Sequence, residues 1–314
     1  MSTAPLHDIP PHVLPAVTRS PAKAALYGVD NYFREGCWTF AEQLDDVLGV
    51  TLCVLKPEAA AGRRYQVALR ALRDNGFHPV DVLRFRHDRL TIRETWRYQF
   101  NFAAHERMDA MDLVLPTIDS VLLVVRDEQW APGRTPASVR LTDLKGPSAP
   151  ELRRPEHLRQ RLGAVNGLFN FMHTSDEPID VIRELSVLTG SERREAVRER
   201  IRAGHDALAE AEAAFAELEA GTPEHDLDLE RSWERLTGST APVGELARIR
   251  AKGGEVPLAD VMAAARSPFA EPADHWDLLS VITHTIEFNT PGIGRIFPNV
   301  MFSAWQEDPD GGAA

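Results

Sequence analysis

Between Val50 and Leu188 the chain alternates two hydrophobic patterns. Thr51-Leu52-Cys53-Val54-Leu55 is a short apolar run with β-branched content, which fits a buried strand. Tyr65 to Asp74 instead places Val67, Leu69 and Leu72 at helical spacing and stops at Asn75-Gly76, a glycine helix end. Phe77 to Phe85 reads as a second strand, Leu90 to Tyr98 as a helix, and Val121 to Val125 as the clearest strand of the chain. Ala137 to Leu141 and Leu158 to Gly167 read as helix or loop, and Asn170 to His173 as the end of a short strand. Pro178 to Leu188 reads as a helix with proline in its first turn, where the missing N–H costs little. Strands and helices interleaved in this order predict an α/β or α+β sandwich.

The flanks read differently. In the N-terminal extension, residues 1–49, Pro5, Pro10, Pro11, Pro15 and Pro21 predict an irregular arm. The aromatic stretch after it, with Tyr27, Tyr32, Phe33, Trp38 and Phe40, predicts a helix covering the core. Residues 191–314 predict a mainly helical region. Arg193 to Leu218 is rich in Ala, Glu and Arg, with Val197, Ile201, Leu208, Phe215 and Leu218 at helical spacing up to Gly221-Thr222-Pro223. Leu227 to Leu236, Val256 to Ala265 and Trp276 to Ile286 read as shorter helices, and Asn289 to Arg295 as loop.

Charge narrows the function. The 314 residues carry 35 Lys and Arg against 47 Asp and Glu, a net charge of -12. So acidic a chain is a poor binder of bulk nucleic acid, although a small anion needs only a few local cations. Two cysteines, Cys37 and Cys53, exclude a disulfide scaffold or a four-cysteine zinc site. No apolar run approaches the ~20 residues that span a bilayer. The first residues lack a secretory pattern, so a cytoplasmic location is expected.

Two segments carry candidate chemistry. Lys56-Pro57-Glu58 follows the first strand directly, which puts a lysine at a sheet edge where it can meet an anion. Asn170-Phe171-Met172-His173-Thr174-Ser175-Asp176 puts a histidine at a strand end, and Glu184 follows His173 by eleven positions. Together with Gly76-Phe77, these segments resemble the nucleoside diphosphate kinases. That family opens with a strand and Lys-Pro-Asp/Glu, continues to Gly-Phe, and carries its histidine in Asn-x-x-His-Gly-Ser-Asp with a glutamate eleven positions on. The resemblance covers about residues 50–190.

The resemblance implies an α+β fold, a ferredoxin-like βαββαβ antiparallel sheet with covering helices. It implies His173 as phosphoryl-accepting nucleophile, Glu184 and Lys56 as its catalytic companions, and Ser175 as a brace for Glu184. Lys56, Tyr98, Arg140, Ser148, Arg159 and Asn170 would bind nucleotide and phosphate, with Phe100 the alternative to Tyr98. Magnesium would arrive on the nucleotide, with no protein metal site. Partners would be a nucleoside triphosphate and a phosphoryl acceptor, and the assembly a homodimer or higher homo-oligomer. The sequence departs from the family at Thr174 and Ala59, both glycine in the pattern, and at Lys145 to Pro150. It also has no evident base-clamping aromatic between His105 and Met111. These departures point to a specialised acceptor. They also leave a second reading, a nucleotide-binding regulatory or scaffold protein without turnover.

Overall fold

All six residues of β1, Val50–Leu55, are buried, as a strand covered on both faces requires. Strand β1 pairs antiparallel with β3 (Ser120–Asp127), Leu52 opposite Val124, and on its other side with β4 (Met172–Thr174), Val54 opposite His173. Strand β2 (Phe77–Phe85) joins the far edge of β3, so the order is β2-β3-β1-β4. Helix Tyr65–Asp74 connects β1 to β2, and helix Ala137–Lys145 connects β3 to β4. The fold is α+β, with the expected ferredoxin-like βαββαβ core and an additional helical region. The computed structural model describes residues 9–267, 272–297 and 302–306.

Side-chain alternation divides the core between the faces of the sheet. Cys53, Leu55, Val121 and Leu123 pack with Tyr65, Leu72 and the C-terminal helices. Leu52, Val54, Leu122 and Val124 pack with Phe33, Phe40, Ile182 and Leu185.

The proline-rich stretch departs from the expected irregular arm. Its described part forms helices Val13–Val17, Pro21–Tyr27, Asn31–Phe40 and Asp45–Leu48, while Pro5 lies outside the described residues. Pro15 and Pro21 sit in first turns, whose N–H groups have no intrahelical acceptor to lose. Helix Asn31–Phe40 lies against helix Pro178–Leu188. Gly36 permits the approach, because a Cβ there would come within 2.5 Å of Ile182 Cγ2.

The charge-rich stretch from Arg193 is two helices, Ser191–Arg202 and Leu208–Ala220, separated at Gly204, whose φ of 61° is left-handed. Helices Leu229–Leu236, Leu258–Ala265 and His275–Thr285 match expected segments, and the structure adds His105–Val114 and Pro242–Ala251 to them. Among the described residues, no helix is long and apolar enough to cross a membrane.

Candidate active site

Lys56 leaves β1 with extended backbone and caps the short helix Pro57–Ala61, whose first-turn proline stops the strand. Its N–H donates to Phe171 O at 3.0 Å, its Nζ meets Glu58 Oε1 at 2.7 Å, and it also donates to Leu168 O. Glu58 Oε1 accepts the Phe171 N–H as well, at 3.0 Å. These contacts hold Phe171 in the left-handed region at φ 67°, a conformation that costs a non-glycine residue about 1–3 kcal/mol. The kink wraps residues 168–171 around the lysine and delivers β4 in register.

Register then sets the histidine's direction. His173 lies opposite Val54, on the face packed against helix Pro178–Leu188. Glu184, on the second turn of that helix, receives it: Nε2 is 3.1 Å from Oε1 and 3.0 Å from Oε2. Ser175 Oγ donates to Oε2 at 2.8 Å. An ionised carboxylate only accepts, so the contact selects the neutral tautomer in which Nε2 carries the proton and Nδ1 a lone pair. The Trp96 ring stands edge-on to the imidazole, centroids 5.3 Å apart. Thr174, in the family's glycine position, adopts strand conformation, and its hydroxyl lies 3.1 Å from that of Thr142.

His173 borders a cavity of about 130 Å³ together with Lys56, Arg107, Arg159, Asn170 and Trp96. Three cations thus converge on one small space. Burial, and then Arg153, brings Arg159 down to about 10. Burial and Arg295 bring Arg107 down to about 10. Burial lowers Lys56 too, with Glu58 opposing. Each retains unused donors. Arg159 bonds Gly146 O and Met172 O, both at 2.9 Å, while its buried Nε has no partner. Arg107 reaches Asn289 Oδ1 at 3.3 Å and leaves Nε unpaired. Asn170 donates to Gly167 O at 2.7 Å, leaving Oδ1 as a buried acceptor without a donor. Unspent donors on cations that are buried, as Lys56 and Arg159 are, or half-buried, as Arg107 is, suit an anion.

The structure brings together His173, Glu184, Ser175, Lys56, Arg159, Asn170 and, at the cavity wall, Ser148. It does not bring Arg140 or Tyr98. Arg140 clasps Asp127 with Nε and Nη2 and stacks 4.0 Å over Phe77. Asp127 is at the opposite end of β3 from Val121, the partner of Leu55, roughly 20 Å away at ~3.4 Å per residue. Helix Ala137–Lys145 runs toward the cavity, so its first turns stay at the far end. The Tyr98 hydroxyl donates to Asp30 Oδ2 at 2.9 Å, and its ring packs on Tyr27 and Phe297. The Phe100 ring faces the Arg93 guanidinium at 5.3 Å. Trp96 takes the aromatic place at the cavity, and Arg107 supplies the cation expected of Arg140.

No family model matches the chain, and no curated protein matches its sequence. Solved structures that resemble it include the nucleoside diphosphate kinase of Aquifex aeolicus, at 18% identity and a TM-score of 0.38, covering 46% of this chain and 96% of that one. The nucleoside-diphosphate kinase of Borrelia burgdorferi, a transition state mimic with bound vanadate and ADP, aligns at 17% identity and a TM-score of 0.36, covering 46% and 88%. An NDP kinase from Pyrobaculum aerophilum aligns at 16% and 0.35, covering 46% and 97%.

Proposed function

We propose that this protein is a phosphotransferase that carries the γ-phosphoryl group of a nucleoside triphosphate on Nδ1 of His173 and passes it to a nucleoside diphosphate or a related specialised acceptor. One observation carries this reading: Glu184 holds Nε2–H, and His173 lines one small cavity with Lys56, Arg107 and Arg159, three cations with donors to spare, of which Lys56 and Arg159 are buried.

In the first half-reaction the Nδ1 lone pair forms the N–P bond as the bond from phosphorus to the β–γ bridging oxygen breaks, and nucleoside diphosphate leaves with that electron pair. Glu184 stabilises the imidazolium that develops, and Ser175 holds the carboxylate in place. Lys56, Arg107 and Arg159 offset charge on the transferred oxygens. In the second half an acceptor oxygen attacks phosphorus and restores the imidazole lone pair. Beside His173 and Trp96, the polar side chains lining the cavity are cationic, amide and hydroxyl, with no carboxylate among them. They therefore fit a magnesium ion that arrives coordinated by phosphate oxygens. Such an ion would withdraw charge from the phosphate oxygens.

The test is incubation with magnesium and γ-labelled ATP, followed by a nucleoside diphosphate chase, beside His173→Ala. Acid-labile, alkali-stable label on wild type alone is expected. Absence of label on a wild type that still binds ATP would overturn phosphotransfer and leave the binding-protein reading.

A further inference from the structure

The inner cavity is too small for a whole nucleotide. At about 130 Å³ it has the room of a few water molecules, whereas pockets for drug-sized ligands run to roughly 300–1,000 Å³. It adjoins a mouth of about 430 Å³, and Trp96, Arg107, Ser148 and Gly167 line both. The outer wall of that mouth comes from the chain after helix His275–Thr285, outside the βαββαβ core.

We infer that residues 287–295 form a strap that reads the nucleoside portion of the ligand, with Phe288 as the stacking surface for a nucleobase. The inference rests on the phosphotransferase reading for its ligand class. Backbone bonds stitch the strap to the loop before helix His105–Val114: Ala104 N–H donates to Phe288 O at 3.2 Å, and Thr290 N–H to Phe102 O at 2.8 Å. Phe288 is half-buried, and its ring rests on the backbone of Gly167, where a Cβ would come within 2.9 Å of Cε1. Gly167 O in turn holds Asn170, so the ring borders the passage between the two compartments. Trp96 and Phe102 add aromatic walls, while Glu287, Asn289 and Arg295 supply a polar rim. A slot with aromatic walls and polar groups around them, Gln99 and Glu151 included, suits a flat ring whose edge is polar, which describes a nucleobase. The strap also meets the phosphate end, because Asn289 Oδ1 accepts from Arg107.

Calorimetric titration of the full chain with magnesium-ADP and with magnesium-pyrophosphate separates the two compartments. Phe288→Ala is expected to weaken ADP about tenfold and to leave pyrophosphate within twofold of wild type. Phe288→Leu, which keeps apolar volume without an aromatic face, should show the same split and serves if the alanine variant does not fold. Unchanged ADP affinity in a folded variant, or equal weakening of both ligands, would overturn the inference. Labelling of His173 reports on the phosphotransfer reading independently: an ADP–pyrophosphate split without label would sink that reading alone. A wild type that binds neither ligand would sink both.

Discussion

In the proposed phosphotransfer, the contact of Glu184 with Nε2 decides which imidazole nitrogen meets the phosphoryl group. Glu184→Gln keeps the shape but can offer its NH₂ to the imidazole, which favours the wrong tautomer, as amide replacement of a triad aspartate does. The expected result is a fall of roughly 10²–10⁴-fold in the rate of His173 labelling, read by quench-flow, with ADP affinity little changed. Ser175→Ala removes a single hydrogen bond to the carboxylate and should cost roughly fivefold. His87 allows a different test. It is buried between Phe85 and Trp96, and neither ring nitrogen has a partner. Burial, helped by His173 and Lys56, pulls it down from 6.5 to about 3. The unfolded chain therefore binds a proton that the folded chain refuses between those values, and stability falls as pH drops below 6.5. His87→Leu should remove about 2–3 kcal/mol of the loss between pH 7 and pH 4.5, seen as a flatter pH profile of the urea midpoint. A profile identical to wild type would contradict the assignment. His173 and Glu184 were legible because their spacing survives in sequence. Arg107 was not, since a cation in a helix with no clear apolar stripe looks like any solvated arginine.

Helix Pro178–Leu188 places Glu184, and the N-terminal helices hold that helix. Lys23 Nζ lies 2.5 Å from Asp180 and 3.2 Å from Glu177, and Tyr27 donates to Asp180 at 2.8 Å. Arg183 Nε meets Asp30 Oδ2 at 3.0 Å. Burial works against the Lys23 charge, yet Asp180, Asp176 and Glu177 outweigh it and raise the lysine's pKa. Removing one partner of such a pair leaves uncompensated buried charge. Lys23→Ala should therefore cost about 3–5 kcal/mol by urea unfolding, with slower His173 labelling as the Glu184 helix loosens. A loss below 1 kcal/mol would show that the segment merely rests on the helix. Runs such as Val121 to Val125 announced their strands through local pattern alone. The N-terminal helices did not, because Pro15 and Pro21 read as breakers until their first-turn positions are known. Their polar anchors, moreover, join residues far apart in sequence.

At the scale of the molecule, the C-terminal region shares the core of the sheet. One cluster runs from Cys53 and Leu55 through Phe215 and Trp233 to Leu279 and Ile282. The Tyr65 ring stacks on Phe215 with centroids 4.6 Å apart, and Ala207 N–H donates to Pro79 O at 2.9 Å. Arg193 to Leu218 reads as a charge-rich helix packed on the core, which its apolar positions Phe215 and Leu218 bear out. The partners those residues find lie far away in the chain, and local pattern does not name them. Fully burying a side chain such as Phe215 is worth about 1.5–3 kcal/mol, so several together rival the whole stability of a domain. A chain ending after Gly190 should therefore bare the Tyr65 and Leu72 face. It should retain far-UV signal while losing near-UV signal and a cooperative melt, and it should associate on size-exclusion chromatography. It would also lose Phe288 and Asn289, one wall of the mouth and the acceptor for Arg107. A fragment that melted cooperatively within a few degrees of the full chain would show instead that the sheet and its own helices suffice. The C-terminal helices would then act only by presenting the strap.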